Sequence, residues 1–196
     1  MLILFDADDG ESSDDFLEQC AWDIPLADKN LAKISLQKFV EEGVQTFHVD
    51  MDVQVKRDVD ILTQMIRKYK NPAFNIRKPL NVEFKDEFGV DSGGPTRELF
   101  CLLMKRLAKY QSDGINLFEG LQGHLVPRHD YDLLSGGMFV LLGKMILHSV
   151  LNGCCGVSGL SPAVIAYICT GKRDAAVQYL TIEDFPDPVL KQNFAE

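Results

Sequence analysis

The sequence predicts an α+β fold that is predominantly helical, and three observations carry that expectation. Strand signals are few: one run of period-two alternation near 46–55 and one short apolar run, LNVEF, at 80–84. Apolar residues at helical spacing recur through much of the remaining chain. The strands are not regularly interleaved with helices, so a predominantly parallel α/β sheet is not expected.

Composition sets the frame. The chain has 196 residues, 46% of them apolar and 25% charged, enough for one domain with one good core. Its 29 acids outnumber 20 bases for a formal charge of −9, so the electrostatic footprint of a nucleic-acid binder is missing. Residues 6–18, DADDGESSDDFLE, are too polar to bury apolar surface, and 1–20 reads as an acidic tail or linker ahead of a domain over 21–196. The start lacks the basic and long apolar regions of a secretory signal. The longest apolar stretch, 138–151, is interrupted by Lys144 and His148 and falls short of the ~20 residues of a membrane span. A cytoplasmic or nuclear protein away from membranes is expected.

From Asn30, the residues Leu31, Ile34, Leu36, Phe39 and Val40 loosely fit a helix stopped by Gly43. Phe47, Val49, Met51, Val53 and Val55 then alternate with polar residues as a half-buried strand. Asp58 is placed to cap a helix carrying Val59, Leu62, Met65, Ile66 and Tyr69, which Asn71-Pro72 stops. The second strand is 80–84, and a helix follows from Pro95 to Tyr110. Residues 111–137 read as a long irregular connection with a short helical piece. The segment 138–151 is apolar on nearly every face, as a central buried helix would be. Ser161-Pro162 opens another helix to about Cys169, and Thr181 with Asp184 has capping-box spacing, broken by Pro186 and Pro188.

Chemistry is sought first in FKDEFGVDSGGPTRELF, 84–100. A Gly-rich turn before a helix suggests an anion site, yet neither phosphate-loop glycine pattern is present, and Asp86, Glu87 and Asp91 put carboxylates where an anion would sit. The alternative is a tight strand-to-helix turn, with Gly93 and Gly94 supplying unusual conformations and Pro95 starting the helix. Arg97 opposes the helix dipole there, so a tertiary carboxylate partner is expected for it.

Five cysteines, Cys20, Cys101, Cys154, Cys155 and Cys169, lack zinc-type spacing, which fits a reducing compartment. Cys154 and Cys155 follow a helix C-terminus, which disfavours a thiolate, while Cys101 and Cys169 read as small core residues. His148 reads as a hydrogen-bonded core histidine, and His48, His124 and His129 share no ligand spacing with it. No catalytic, metal or cofactor residue is assigned.

The string LNVEFKDEFGVDSGGPTRELFCLLMKRL resembles the N-terminal lobe of HECT-type ubiquitin ligases, which carries L-x-V-x-F, an acid, G-[VI]-D-x-G-G and then [RK]-E-[FL]-F opening a helix. Leu80, Val82, Phe84, Glu87, Gly89, Val90, Asp91, Gly93, Gly94, Arg97, Glu98 and Phe100 fall on that pattern. Its flanks are similar to the family too, including Arg57-Asp58, the helix with Gly143 and the element around TIEDF, so the resemblance spans about 44–196 and is closest to divergent short vertebrate members. It implies a large part of an N-lobe, with Gly89, Asp91, Gly93, Gly94, Arg97 and Glu98 as a structural signature. It also implies a parent that passes ubiquitin from a conjugating enzyme through a ligase cysteine to substrate lysines. The family's docking subdomain and nucleophilic cysteine would lie beyond Glu196, so the chain alone is expected to be inactive. A noncatalytic scaffold binding ubiquitin, SUMO or another protein is the alternative. Leu2, Ile3, Leu4 and Phe5, followed by acids, resemble a SUMO-interacting strand motif.

Overall fold

The computed structural model describes residues 50–85, 87, 93–109 and 114–187, together with 38, 41, 42, 189, 191 and 192. The acidic segment 1–20 with Leu2, Ile3, Leu4 and Phe5, the helix expected from Asn30, the start of the first strand, and Gly89 and Asp91 lie outside the described residues.

Strand β1, Met51–Val55, and strand β2, Leu80–Phe84, each alternate between faces. Val53, Val55, Leu80, Val82 and Phe84 point inward and are buried. Asp52, Gln54, Asn81 and Glu83 point out, where Asn81 donates to Asp52 and Gln54 donates to Glu83 across the pair. The strands run parallel, with Val53 opposite Val82. A parallel pair needs a crossover, and helix α1, Ile61–Tyr69, provides it.

Helix α1 is capped by Asp60 rather than by the expected Asp58. The Asp60 carboxylate accepts from the Thr63 amide at 3.0 Å and from its hydroxyl at 2.8 Å. The Gln64 side-chain Nε2 meanwhile donates to the Lys56 and Val59 carbonyls, which holds Asp58 in an exposed loop two residues upstream. Leu62, Met65, Ile66 and Tyr69 form the buried stripe that periodicity predicts.

Helix α2, Gly94–Ala108, packs Leu99, Phe100, Leu103, Met104 and Leu107 onto β2 and α1. In place of a wholly irregular connection, a small antiparallel hairpin joins β3, Phe118–Glu119, to β4, Val126–Pro127, and helix α3 spans Tyr131–Ser135 behind an Asp130 cap. Gly120 permits the hairpin turn: it sits at φ 110°, and an added Cβ would lie 2.7 Å from the His124 carbonyl oxygen.

Helix α4, Met138–Leu151, contacts α1 and α3 and buries Leu141, Leu142, Met145, Ile146 and His148. It is not buried all round, since Val140, Gly143 and Lys144 face outward. Helix α5, Pro162–Thr170, starts at Ser161, whose hydroxyl accepts from the Ala163 amide, and packs against helix α6, Arg173–Val177. The Thr181–Asp184 capping box forms, yet it opens a 3₁₀ turn over Ile182–Asp184 in place of a longer helix, as the following prolines require. The chain is therefore α+β, with the core where β1 and β2 meet α1, α2 and α4.

Candidate functional site

The strand-to-helix turn is held from outside by Arg57, at the end of β1. Its guanidinium lies 4.1 Å above the centre of the Phe84 ring, a cation–π arrangement. From there Nη1 donates to Glu98 Oε1 at 2.7 Å, Nη2 donates to Glu87 Oε2 at 3.1 Å, and Nε donates to Glu87 Oε1. One side chain thus ties the β1–α1 turn, the end of β2 and the first turn of α2 together. The hydrogen bonds from Arg57 hold the Glu87 carboxyl below its usual range, and the Glu87 and Glu98 carboxylates raise the guanidinium pKa. All three charges are about half exposed, so the contacts are screened by salt.

Gly93 occupies the left-handed region at φ 99° as the residue before α2, and its carbonyl accepts from the Arg97 amide. Gly94 and Pro95 follow in the first turn, where proline costs no hydrogen bond. The described part of the signature therefore builds a turn. The nearby cation is already matched by two of the protein's own carboxylates, which disfavours an added anion.

The carboxylate partner expected for Arg97 is not found among the described residues, and Asp86 and Asp91 lie outside them. Glu98, one residue on, makes a tertiary ion pair with Arg57. A helix turns by about 100° per residue, so adjacent side chains serve different neighbours. The positive charge of Arg97 is felt by the Cys154 thiol in the connection after α4.

Cys154 and Cys155 follow Gly153, itself at φ 65°, and are buried. Burial, with the neighbouring Cys101, pushes their thiols up to about 11 and about 12, far from the thiolate that a nucleophile needs. Cys101 is half-buried on α2, with its sulfur 3.9 Å from that of Cys155. Cys169 is exposed, contrary to a core role, because α5 fully buries Ala163 alone among its residues and Cys169 lies in its last turn.

His148 is fully buried, and its Nδ1 shares a 2.8 Å hydrogen bond with the Tyr69 hydroxyl. The rings of Tyr69, Phe74 and Phe100 stand edge-on to it. Burial lowers its pKa to about 4 and raises that of Tyr69. Its role is packing, as its place on an apolar helix implies.

Two polar locks escaped the sequence reading. Arg106 of α2 is 6% exposed, donates to Asp60 at 2.7 Å, and donates to the Lys109 and Ile115 carbonyls at 3.2 and 3.1 Å. Burial works to raise the Asp60 pKa, but hydrogen bonds from Thr63 and Arg106 outweigh it and hold the carboxyl below its ordinary value. The available signal was Arg106 itself, a charge seven positions after Leu99 on the apolar stripe. In the second lock, buried Asp184 meets His124 Nδ1 at 2.9 Å and also accepts from the Thr181 amide. Burial again opposes ionisation, and donors from Thr181, His124 and Ser161 overcome it. The interval of sixty residues between the partners leaves no periodic trace.

An apolar cavity of about 610 Å³ opens between β4, α4 and α5, lined in part by Pro127, Leu142, Ile146, Tyr167 and Leu180. A more polar one of about 730 Å³ surrounds Lys70, Phe74, Asn75 and Lys144. Among the described residues no three His, Cys, Asp or Glu side chains gather as a metal site would require, and no helix is long and apolar enough to cross a membrane. Compared with known proteins, the chain matches no protein-family model and no curated sequence at a significant level.

Proposed function

We propose that this chain is the large part of the N-terminal lobe of a HECT-type ubiquitin ligase. One observation carries the reading: four of the residues on which the resemblance rests also build one structural node. Phe84, Glu87 and Glu98 converge on Arg57, and Gly93 turns the chain into α2 beside them. The spacing of those residues thus has a physical use in a strand–turn–helix unit, which supports the resemblance over a chance match. In this reading the lobe is the static base of a transthiolation machine, and a conjugating enzyme and ubiquitin are partners of the longer parent. The cytoplasm or nucleus would be its place of action.

The buried thiols fit that division of labour, since neither Cys154 nor Cys155 is an activated nucleophile. The chain itself is expected to form no ubiquitin thioester when incubated with activating enzyme, a panel of conjugating enzymes and ubiquitin, as read on non-reducing gels. A reducible adduct lost on Cys154→Ala or Cys155→Ala would overturn the assignment. The parent transcript, read downstream, is expected to encode a docking subdomain and a C-lobe cysteine. The same protonated thiols favour, as a second reading, a noncatalytic HECT-derived scaffold that binds ubiquitin or SUMO. A transcript without the C-lobe, combined with shifts in an NMR titration with either protein, would select it.

A further inference from the structure

We propose that Cys101 and Cys155 are a redox-modifiable pair that closes to a disulfide, joining α2 to the connection between α4 and α5. Their sulfurs lie 3.9 Å apart, with the Cys155 thiol directed at Cys101. A disulfide needs about 2.0 Å, so each sulfur has only to advance by roughly 1 Å. The proximity comes from the fold, because the two residues stand 54 positions apart in sequence.

The neighbouring contacts select this pair over the other thiols. Cys154, equally buried, turns its sulfur to the Asn152 carbonyl oxygen at 3.4 Å. A link between adjacent Cys154 and Cys155 would distort the planar trans peptide that joins them. The backbone at Cys155 is held in place, since its carbonyl accepts from the Ser149 hydroxyl and the Cys154 amide donates to the Ser149 carbonyl at 3.0 Å.

The chemistry balances with a peroxide as oxidant. Cys101, the least buried of the three clustered thiols, attacks one peroxide oxygen as its thiolate and becomes a sulfenic acid, while the other oxygen leaves as water. The Cys155 sulfur then attacks the sulfenic sulfur and displaces hydroxide, which takes up the Cys155 proton to give a second water. Two thiols lose two electrons, and the peroxide gains them. Burial keeps Cys155 protonated, so closure is slow and a dithiol reductant reverses it. The proposal does not rest on the ubiquitin reading.

The test is to expose the full folded chain to hydrogen peroxide, alkylate the remaining thiols, digest without reduction, and map the peptides by mass spectrometry. A Cys101–Cys155 cross-link is expected in the native chain and in Cys154→Ser. It should be lost in Cys155→Ser and after treatment with dithiothreitol. Recovery of Cys101 and Cys155 as free thiols while Cys169 is oxidised would overturn the proposal, as would a dominant Cys101–Cys154 or Cys154–Cys155 link. The same reaction in concentrated urea should lose the preference, and a preference that survives there would show that the fold does not create the pair.

Discussion

His148 is surrounded by Tyr69, Phe74 and Phe100 and has a pKa of about 4 against an ordinary value of 6.5. The unfolded chain therefore binds this proton more readily than the folded one between those limits. The stability that neutral His148 confers is complete above about pH 6.5 and is lost as pH falls towards 4. Loss of roughly 3 kcal/mol is expected across that window, measured by urea unfolding at stepped pH. His148→Leu should flatten the profile there. The lowered carboxyls of Asp60 and Asp184 act in the same direction, but their contributions fall away at more acid pH, below 3.8. At Arg106 the issue is an abandoned partner: Arg106→Met leaves Asp60 Oδ1 and two carbonyls without the Arg106 donor, while Asp60 Oδ2 keeps its bonds from Thr63. It should cost about 3 kcal/mol in chemical unfolding. In a double-mutant cycle, Asp60→Asn added to Arg106→Met should cost much less than the sum of the two single changes.

The turn into α2 separates two glycines that look alike in sequence. Gly93 has φ 99° with open space where a Cβ would stand, so Gly93→Ala should lose about 1 kcal/mol through backbone strain alone. Gly94 has equally open space and an ordinary φ within the helix, so Gly94→Ala should gain about 0.5 kcal/mol. Thermal melts of the two variants in opposite directions would verify the assignment. The same contrast marks what could be read beforehand. α1, α2, α4 and α5 were legible because apolar spacing, Pro95, Ser161 and Pro162 are local signals. The Asp60 cap was missed by two residues because Asp58 offers the same chemistry, and the deciding Gln64 bonds to Lys56 and Val59 exist only once the turn has formed. The β3–β4 hairpin has two-residue strands, too short for any alternation to show.

Across the whole molecule, burial is uneven. The sheet with α1, α2 and α4 holds most of the fully buried residues, among them Val53, Leu62, Met65, Phe100, Leu103 and Met145, whereas α5 and α6 lean chiefly on each other and leave Tyr167, Ile168 and Val177 exposed. Amide exchange should accordingly be slowest in α2 and α4 and fastest in α5 and α6, and hydrogen-exchange mass spectrometry can rank them. For the candidate site, the spacing of Gly93, Gly94 and Glu98 was readable in the chain. Its closure by Arg57 was not, because a tertiary ion pair leaves no local pattern. The parallel pairing of β1 with β2 adds a consequence in time. Strands whose partners stand 29 residues apart cannot zip from a hairpin, so their register has to wait until the crossover helix is in place. A truncation in α1 such as Leu62→Ala is then expected to slow folding more than it hastens unfolding, and the two arms of a chevron plot would reveal α1 as part of the folding nucleus.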